Sequence, residues 1–225
     1  NDTVNGGKGD DLIDGGGGVN MLDGGAGNNT LSYESQFSVG IELTLNGTKT
    51  LTVKVNGVDT DTVRNFENVV GGGQADTITG DGAKNTIDGY GGNDTLKGMG
   101  GNDRIIGGSG QDIMSGGSGA DTFVFESSID FLPPGNTHDL ITDFDHGTDR
   151  IDLSALDANG DGKGNGDFIW LAKEGDKFTG VAGQLAFDQH GKLTTIMGDI
   201  DGDKDADLLI DLSGKIDLTK GDFTL

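Results

Sequence analysis

The chain has 225 residues, 44 of them glycine, with two prolines, no cysteine and a formal charge of −23, and only 32% of it is apolar. So strong a negative balance leaves no basic face for nucleic acid and disfavours anionic membranes, while the missing cysteine removes disulfides and no apolar run approaches the roughly 18 residues of a membrane span. Glycine at this level without proline or a three-residue period excludes collagen, and the low apolar content rules out one large conventional core.

Residues 1–32 form a first glycine block in which Asp11/Ile13, Asn20/Leu22 and Asn29/Leu31 recur in a nine-residue frame, with Asp2/Val4 as a clipped leading copy. Asn1 falls at the fifth place of that frame, which implies a chain cut from a longer protein. Residues 33–70 leave the beat and alternate instead: Val39, Ile41, Leu43 and Leu45, then Leu51, Val53 and Val55. Asn46-Gly47 and Asn56-Gly57 end these runs where two-residue hairpin turns want them, so the stretch reads as an inserted antiparallel hairpin or meander. Glu67 and Val69 then fall back into frame as an imperfect turn without glycines.

Residues 71–125 are the main block. From Gly71 to Val124 the beat runs through six unbroken copies, each opening on glycine, with Asp or Asn at the sixth place and an apolar residue at the eighth: Asp76/Ile78, Asn85/Ile87, Asp94/Leu96, Asp103/Ile105, Asp112/Met114 and Asp121/Phe123. Composition shifts over 126–225, where Pro133-Pro134-Gly135 marks a loop and strand-like segments fall at 140–144, 150–153, 168–171, 184–187, 193–197 and 206–212. Only 154–157 and 219–223 suggest helical turns, so the chain reads as all-β.

A repeat of nine with one inward apolar residue makes half a coil, a tight glycine turn followed by a three-residue strand. Two repeats close a parallel β-roll coil of eighteen residues, the eighth-place side chains stack inside, and sixth-place carboxylates eighteen apart become neighbours on one edge. Two carboxylates about 4–5 Å apart repel by about 3–4 kcal/mol at an effective dielectric near 20. Several such clashes would prevent stacking without a cation. A hard divalent ion with oxygen ligands resolves them, and calcium tolerates such a site better than magnesium, which demands a stricter octahedron and keeps its waters.

The segments 89–97, Gly-Tyr-Gly-Gly-Asn-Asp-Thr-Leu-Lys, and 116–124, Gly-Gly-Ser-Gly-Ala-Asp-Thr-Phe-Val, resemble repeats-in-toxin (RTX) sequences, the calcium-binding parallel β-roll family exported by type I secretion. That resemblance implies a ligand pattern: second- and fourth-place carbonyls with the sixth-place side chain of one loop, and first- and third-place carbonyls with the sixth-place side chain of the loop eighteen residues on. Carried over, it groups Gly72, Gln74 and Asp76 with Gly89, Gly91 and Asp94, and Tyr90, Gly92 and Asp94 with Gly107, Ser109 and Asp112. On the other edge it groups Met99, Gly101 and Asp103 with Gly116, Ser118 and Asp121, and Asp81, Ala83 and Asn85 with Gly98, Gly100 and Asp103. In the first block it groups Asp2 with Gly15, Gly17 and Asn20, and Gly7, Gly9 and Asp11 with Gly24, Ala26 and Asn29. Sites bearing Asn85, Asn20 or Asn29 lack one charge and are expected to bind more weakly.

Residues 139–156 and 194–212, with the closing 221–225, resemble the ends of serralysin-type metalloproteases and the R-modules of mannuronan epimerases. In those families this region caps the roll and carries an uncleaved secretion signal. Asp157-Ala158-Asn159-Gly160-Asp161-Gly162 matches the first half of an EF-hand loop, although Phe168 stands where its bidentate Glu belongs. Asp199, Asp201, Asp203, Asp205 and Asp207 suggest an acidic hairpin tip, and Asp130 and Asp139 are candidates to complete the last sites of the roll. His138, His146 and His190 are too scattered for zinc, and Trp170, between Ile169 and Leu171, reads as core.

Neither His-Glu-x-x-His nor Gly-x-Ser-x-Gly occurs, so the expectation is a non-catalytic module. The resemblance implies a secreted bacterial protein whose partners are calcium and the type I secretion apparatus. The alternatives are an extracellular polysaccharide-binding module and a segment of an RTX adhesin.

Overall fold

The computed structural model describes residues 1–126, 138–158 and 167–225; the proposed Asp130 ligand and most of the EF-hand-like segment lie outside these residues. The repeats fold as the nine-residue period requires. In the first sheet lie β1 (Thr3–Asn5), β3 (Met21–Asp23), β9 (Thr77–Thr79), β11 (Thr95–Lys97), β13 (Ile113–Ser115) and β15 (Asp139–Ile141). In the second lie β2 (Leu12–Ile13), β4 (Thr30–Ser32), β8 (Asn68–Val70), β10 (Thr86–Asp88), β12 (Arg104–Ile106), β14 (Thr122–Val124), β16 (Arg150–Asp152) and β21 (Phe223–Thr224). Within the repeats the pairing is parallel and in step, with Ile78 against Leu96 and Leu96 against Met114, and Ile87 against Ile105 and Ile105 against Phe123. The six eighth-place side chains from Ile78 to Phe123 are all 0% exposed and form a one-residue-wide apolar stack between the sheets.

The insertion is a three-stranded meander, β5 (Ile41–Thr44), β6 (Leu51–Val55) and β7 (Val58–Arg64), with both internal pairings antiparallel. It sits inside the first sheet, with β7 parallel to β3 and β5 parallel to β9, while β4, β8 and β10 run on uninterrupted in the second. The two glycine blocks therefore belong to one continuous roll. Asn56 and Gly57, at φ 51° and 75°, make the expected two-residue hairpin between β6 and β7. Asn46-Gly47 does not: it lies in a six-residue connection between β5 and β6, because Leu45 stays bonded to Thr79 O (2.8 Å) and Gly47 N donates to Asp81 Oδ2 (3.0 Å).

At the other end β20 (Leu208–Ser213) pairs parallel with β15 and antiparallel with β19 (Leu193–Asp199), which pairs with β18 (Gln184–His190) and, beyond it, β17 (Ile169–Trp170). The last strand, β21, closes the second sheet against β16 after a single 3₁₀ turn, Lys220–Asp222. Trp170 stacks on Phe187 (5.5 Å between centroids) and leans on Phe223 (4.9 Å), so it packs against the core as expected. Among the described residues no helix is long and apolar enough to cross a membrane.

Candidate metal centre

Each coil places its two glycine loops on opposite edges of the roll, and the sixth-place side chains line those edges as two ladders. On one edge the backbone N–H of Asp76 donates to Asp94 Oδ1 (2.7 Å), that of Asp94 to Asp112 Oδ1 (2.8 Å), and that of Asp112 to Asp139 Oδ1 (2.8 Å). On the other, Asn85 donates to Asp103 Oδ1 (2.7 Å), Asp103 to Asp121 Oδ1 (2.8 Å), and Asp121 to Asp149 Oδ1 (2.9 Å). The first block repeats the motif, with Asp2 N–H on Asn20 Oδ1 and Asp11 N–H on Asn29 Oδ1.

At Asp94, Asp103 and Asp121 these bonds occupy one carboxylate oxygen and leave the other. Oδ2 of Asp11, Asp94, Asp103 and Asp121 is buried with no hydrogen-bond donor, although Asp94, Asp103 and Asp121 are each only 1% exposed. An acceptor-only oxygen withdrawn from water costs several kcal/mol unless a positive charge meets it. Burial raises the Asp94 carboxyl to about 8, against the lowering effect of the bond from Asp76, and the charges of Asp112, Asp76 and Asp88 add to the rise. Burial likewise raises Asp76 and Asp103 to about 6 and lifts Asp121 and Asp149.

What faces the bare oxygens is more oxygen. A Cβ at Gly89 would lie 2.3 Å from Asp94 Oδ2 and 2.5 Å from Gly107 O, and one at Gly98 would lie 2.3 Å from Asp103 Oδ2 and 2.7 Å from Gly116 O. The first-place glycine thus leaves a cradle where a carboxylate and a carbonyl of the next coil converge. Around it, the third-place residues Gly91 and Ser109, Gly100 and Ser118, and Lys8 and Ala26 form parallel bridges that hold successive loops in contact. Second- and third-place carbonyls each accept one backbone bond, as Tyr90 O does from Ser109 N (3.2 Å) and Ser109 O from Gly92 N (2.8 Å), leaving one lone pair apiece. The donor set is all oxygen, anionic and repeated, which fits calcium.

The loops are not uniform. Asp76 has donors on both oxygens, from Ile41 N (2.6 Å) and Gly72 N (2.8 Å). Asn85 Oδ1 accepts from Asp81 N (2.8 Å), and its amide nitrogen donates to Glu67 O (2.7 Å). The acidic tip between β19 and β20 brings Asp199, Asp201 and Asp207 within 4.8 Å of one another, but backbone amides of the same tip cap Asp199 and Asp207.

Three ladder members escape the glycine pattern. Asp61 takes the rung beneath Asn20, accepting its N–H on Oδ1 (2.8 Å); Glu67 Oε2 takes the rung beneath Asn29 (2.7 Å); and Asp149 follows Asp121. Each has the same signature, an acid two residues before a buried apolar side chain: Asp61/Val63, Asp149/Ile151 and Glu67/Val69, the last expected from the frame, and the anticipated Asp139/Ile141 conforms as well. A second ladder also went unread, in which fifth-place side chains accept from the next coil, as Asn93 does from Gln111 N and Asn102 from Ala120 N (3.1 Å each).

Comparison with known proteins agrees with this chemistry. The family described as RTX calcium-binding nonapeptide repeat (4 copies) matches residues 1–31 and 65–96, and the family described as Peptidase M10 serralysin C terminal matches residues 92–225. The AlgE6R3 subunit of an Azotobacter vinelandii mannuronan C5-epimerase is 31% identical over 67% of this chain and 78% of its own, at a TM-score of 0.49. The AlgE6R2 subunit is 29% identical over 64% and 86%, at 0.45. The extracellular lipase LipA of Serratia marcescens is 16% identical over 99% of this chain and 38% of its own, at 0.31. No curated protein matches. With one family match spanning more than half its length and the other covering the first glycine block and the start of the main one, the chain belongs to the serralysin C-terminal family and carries calcium-binding RTX repeats.

Proposed function

We propose that this chain is a calcium-gated folding module that supports export and stability of a larger secreted protein. The observation that carries the reading is the set of buried, donorless Oδ2 atoms at Asp94, Asp103 and Asp121, each beside a deep acidic neighbour on its own edge. Calcium supplies the positive charge those oxygens lack. The holding residues are the sets around Asp76/Asp94, Asp94/Asp112 and Asp103/Asp121, continued by Asp139 and Asp149, with poorer sets at Asn85/Asp103, Asp2/Asn20 and Asp11/Asn29.

The arithmetic favours a switch. Extracellular calcium modules bind at about 10⁻⁴–10⁻³ M. At about ten times that constant each site contributes about 1.4 kcal/mol, so four or five give about 6–7 kcal/mol. At micromolar calcium the contribution nearly vanishes, and in a chain of charge −23 the acidic coils of 71–125 stay expanded. Such a chain threads a type I secretion channel and folds outside, with 71–125 as the calcium roll and 126–225 as its cap and secretion region. The test has two arms: circular dichroism through a calcium titration with magnesium as control, and export of a passenger fused to 126–225. Magnesium-driven folding would defeat the first claim, and a passenger retained in the cell the second.

A further inference from the structure

The rungs joining the two glycine blocks are built differently from those beyond them. The cradle left by Gly24 is the clearest case: a Cβ there would lie 2.0 Å from Asn65 O and 2.9 Å from Asn29 Nδ2. The geometry matches the Gly89 cradle, but an amide nitrogen stands where Asp94 presents a carboxylate oxygen. The orientation of that amide is fixed, because Asn29 Oδ1 accepts from Asp11 N (3.1 Å) and Nδ2 donates to Asn65 O (3.1 Å). Meanwhile Asn29 N–H donates to Glu67 Oε2 (2.7 Å).

The opposite edge is closed in another way. Asp61, 1% exposed, accepts from Asn20 N on Oδ1 (2.8 Å) and from the Tyr33 hydroxyl on Oδ2 (2.7 Å). Tyr33 is itself 1% exposed, and burial first, then the bond to Asp61, raises its phenol and keeps it a donor. At Asn29 and Asp61 the side-chain positions that face a calcium ion elsewhere in the roll are occupied by, or paired with, an N–H or O–H. The apolar packing at this level is also deep, with Leu31, Tyr33, Val53, Val63, Phe66 and Val69 all at most 2% exposed.

We infer that these rungs, with the meander they carry, form a calcium-independent belt, ordered before the ion arrives, on which the acidic coils of 71–124 assemble. The inference rests on the calcium-gated reading of those coils and adds a boundary to it. Sites on the two sides of the belt share no ligand, so the first block and the main block load independently.

Hydrogen exchange with mass spectrometry on the whole chain, in chelator and in calcium, tests it. In chelator, amides of 29–33 and 58–70 are expected to exchange at least about tenfold more slowly than those of 89–124, and calcium then protects 89–124. Asn29→Asp replaces the donor by a charge and should make the belt calcium-dependent: protection at 58–70 falls about tenfold or more in chelator and returns with calcium. Tyr33→Phe should lower that protection in both media. Belt amides as fast as 89–124 in wild-type chelated protein would overturn the inference while leaving calcium gating intact, and so would an Asn29→Asp variant indistinguishable from wild type in chelator. Protection of 89–124 in chelator would instead defeat the gating itself.

Discussion

Replacing Asp94 by Asn separates a metal ligand from a structural cap. In the proposed arrangement Asp94 serves two sites, one with Asp76 and one with Asp112, and its Oδ1 also holds the Asp76 amide at 2.7 Å. Asn keeps that bond, as Asn20 and Asn29 do in the same ladders, so the substitution removes charge and little else. In calcium at about ten times the dissociation constant, weakening two sites costs up to about 3 kcal/mol, or about 6–12 °C in Tm for a chain of this size. In chelator the sign reverses. The buried carboxyl, held near 8 by burial, is a net burden on the metal-free coil at neutral pH, so Asp94→Asn is there at least as structured as wild type. Thermal melts by circular dichroism in excess calcium and in chelator read both effects. An equal loss of stability in the two media would show that Asp94 merely caps its turn and would refute the argument.

Protons should partly replace the ion. The carboxyls of Asp94 (about 8), Asp76 and Asp103 (about 6) lie above their ordinary 3.8, so between about pH 8 and 4 the metal-free fold binds more protons than the unfolded chain and gains stability as pH falls. Chelated protein should therefore show more β-structure by circular dichroism at pH 5 than at pH 8, and the reverse order would contradict the sign. Gly89→Ala sets a methyl into the oxygen cradle, 2.3 Å from Asp94 Oδ2, and calorimetric titration should find calcium affinity at that step lowered about tenfold or more. Met99 holds φ 79° at a second place where glycine is common, so Met99→Gly should stabilise the calcium-loaded chain by about 1 kcal/mol in a urea melt.

The roll and its calcium were legible because one residue class sits at each place of the repeat: the eighth-place apolar stack and sixth-place carboxylates follow from period nine alone. What escaped were rungs that keep the chemistry but lose the glycines. Asp61 is brought under Asn20 by the antiparallel meander, 41 residues away in sequence, and Asp149 lies 28 residues beyond Asp121 instead of eighteen. Neither separation can be found by counting. The acid-x-apolar signature was present at each, but without the frame it is too common to single out. The replacement of a metal by Tyr33 and Asn29 was invisible for a related reason: a sequence shows that Asn lacks a charge, but not that its amide nitrogen faces a carbonyl.

The central claim is that a divalent ion neutralises the buried oxygens between stacked loops. Long-wavelength anomalous diffraction from crystals grown in calcium addresses it directly. Calcium peaks are expected between Asp94 and Asp112 and between Asp103 and Asp121, each within about 2.3–2.6 Å of carboxylate and backbone oxygens. The same coil with water at those positions would contradict the claim.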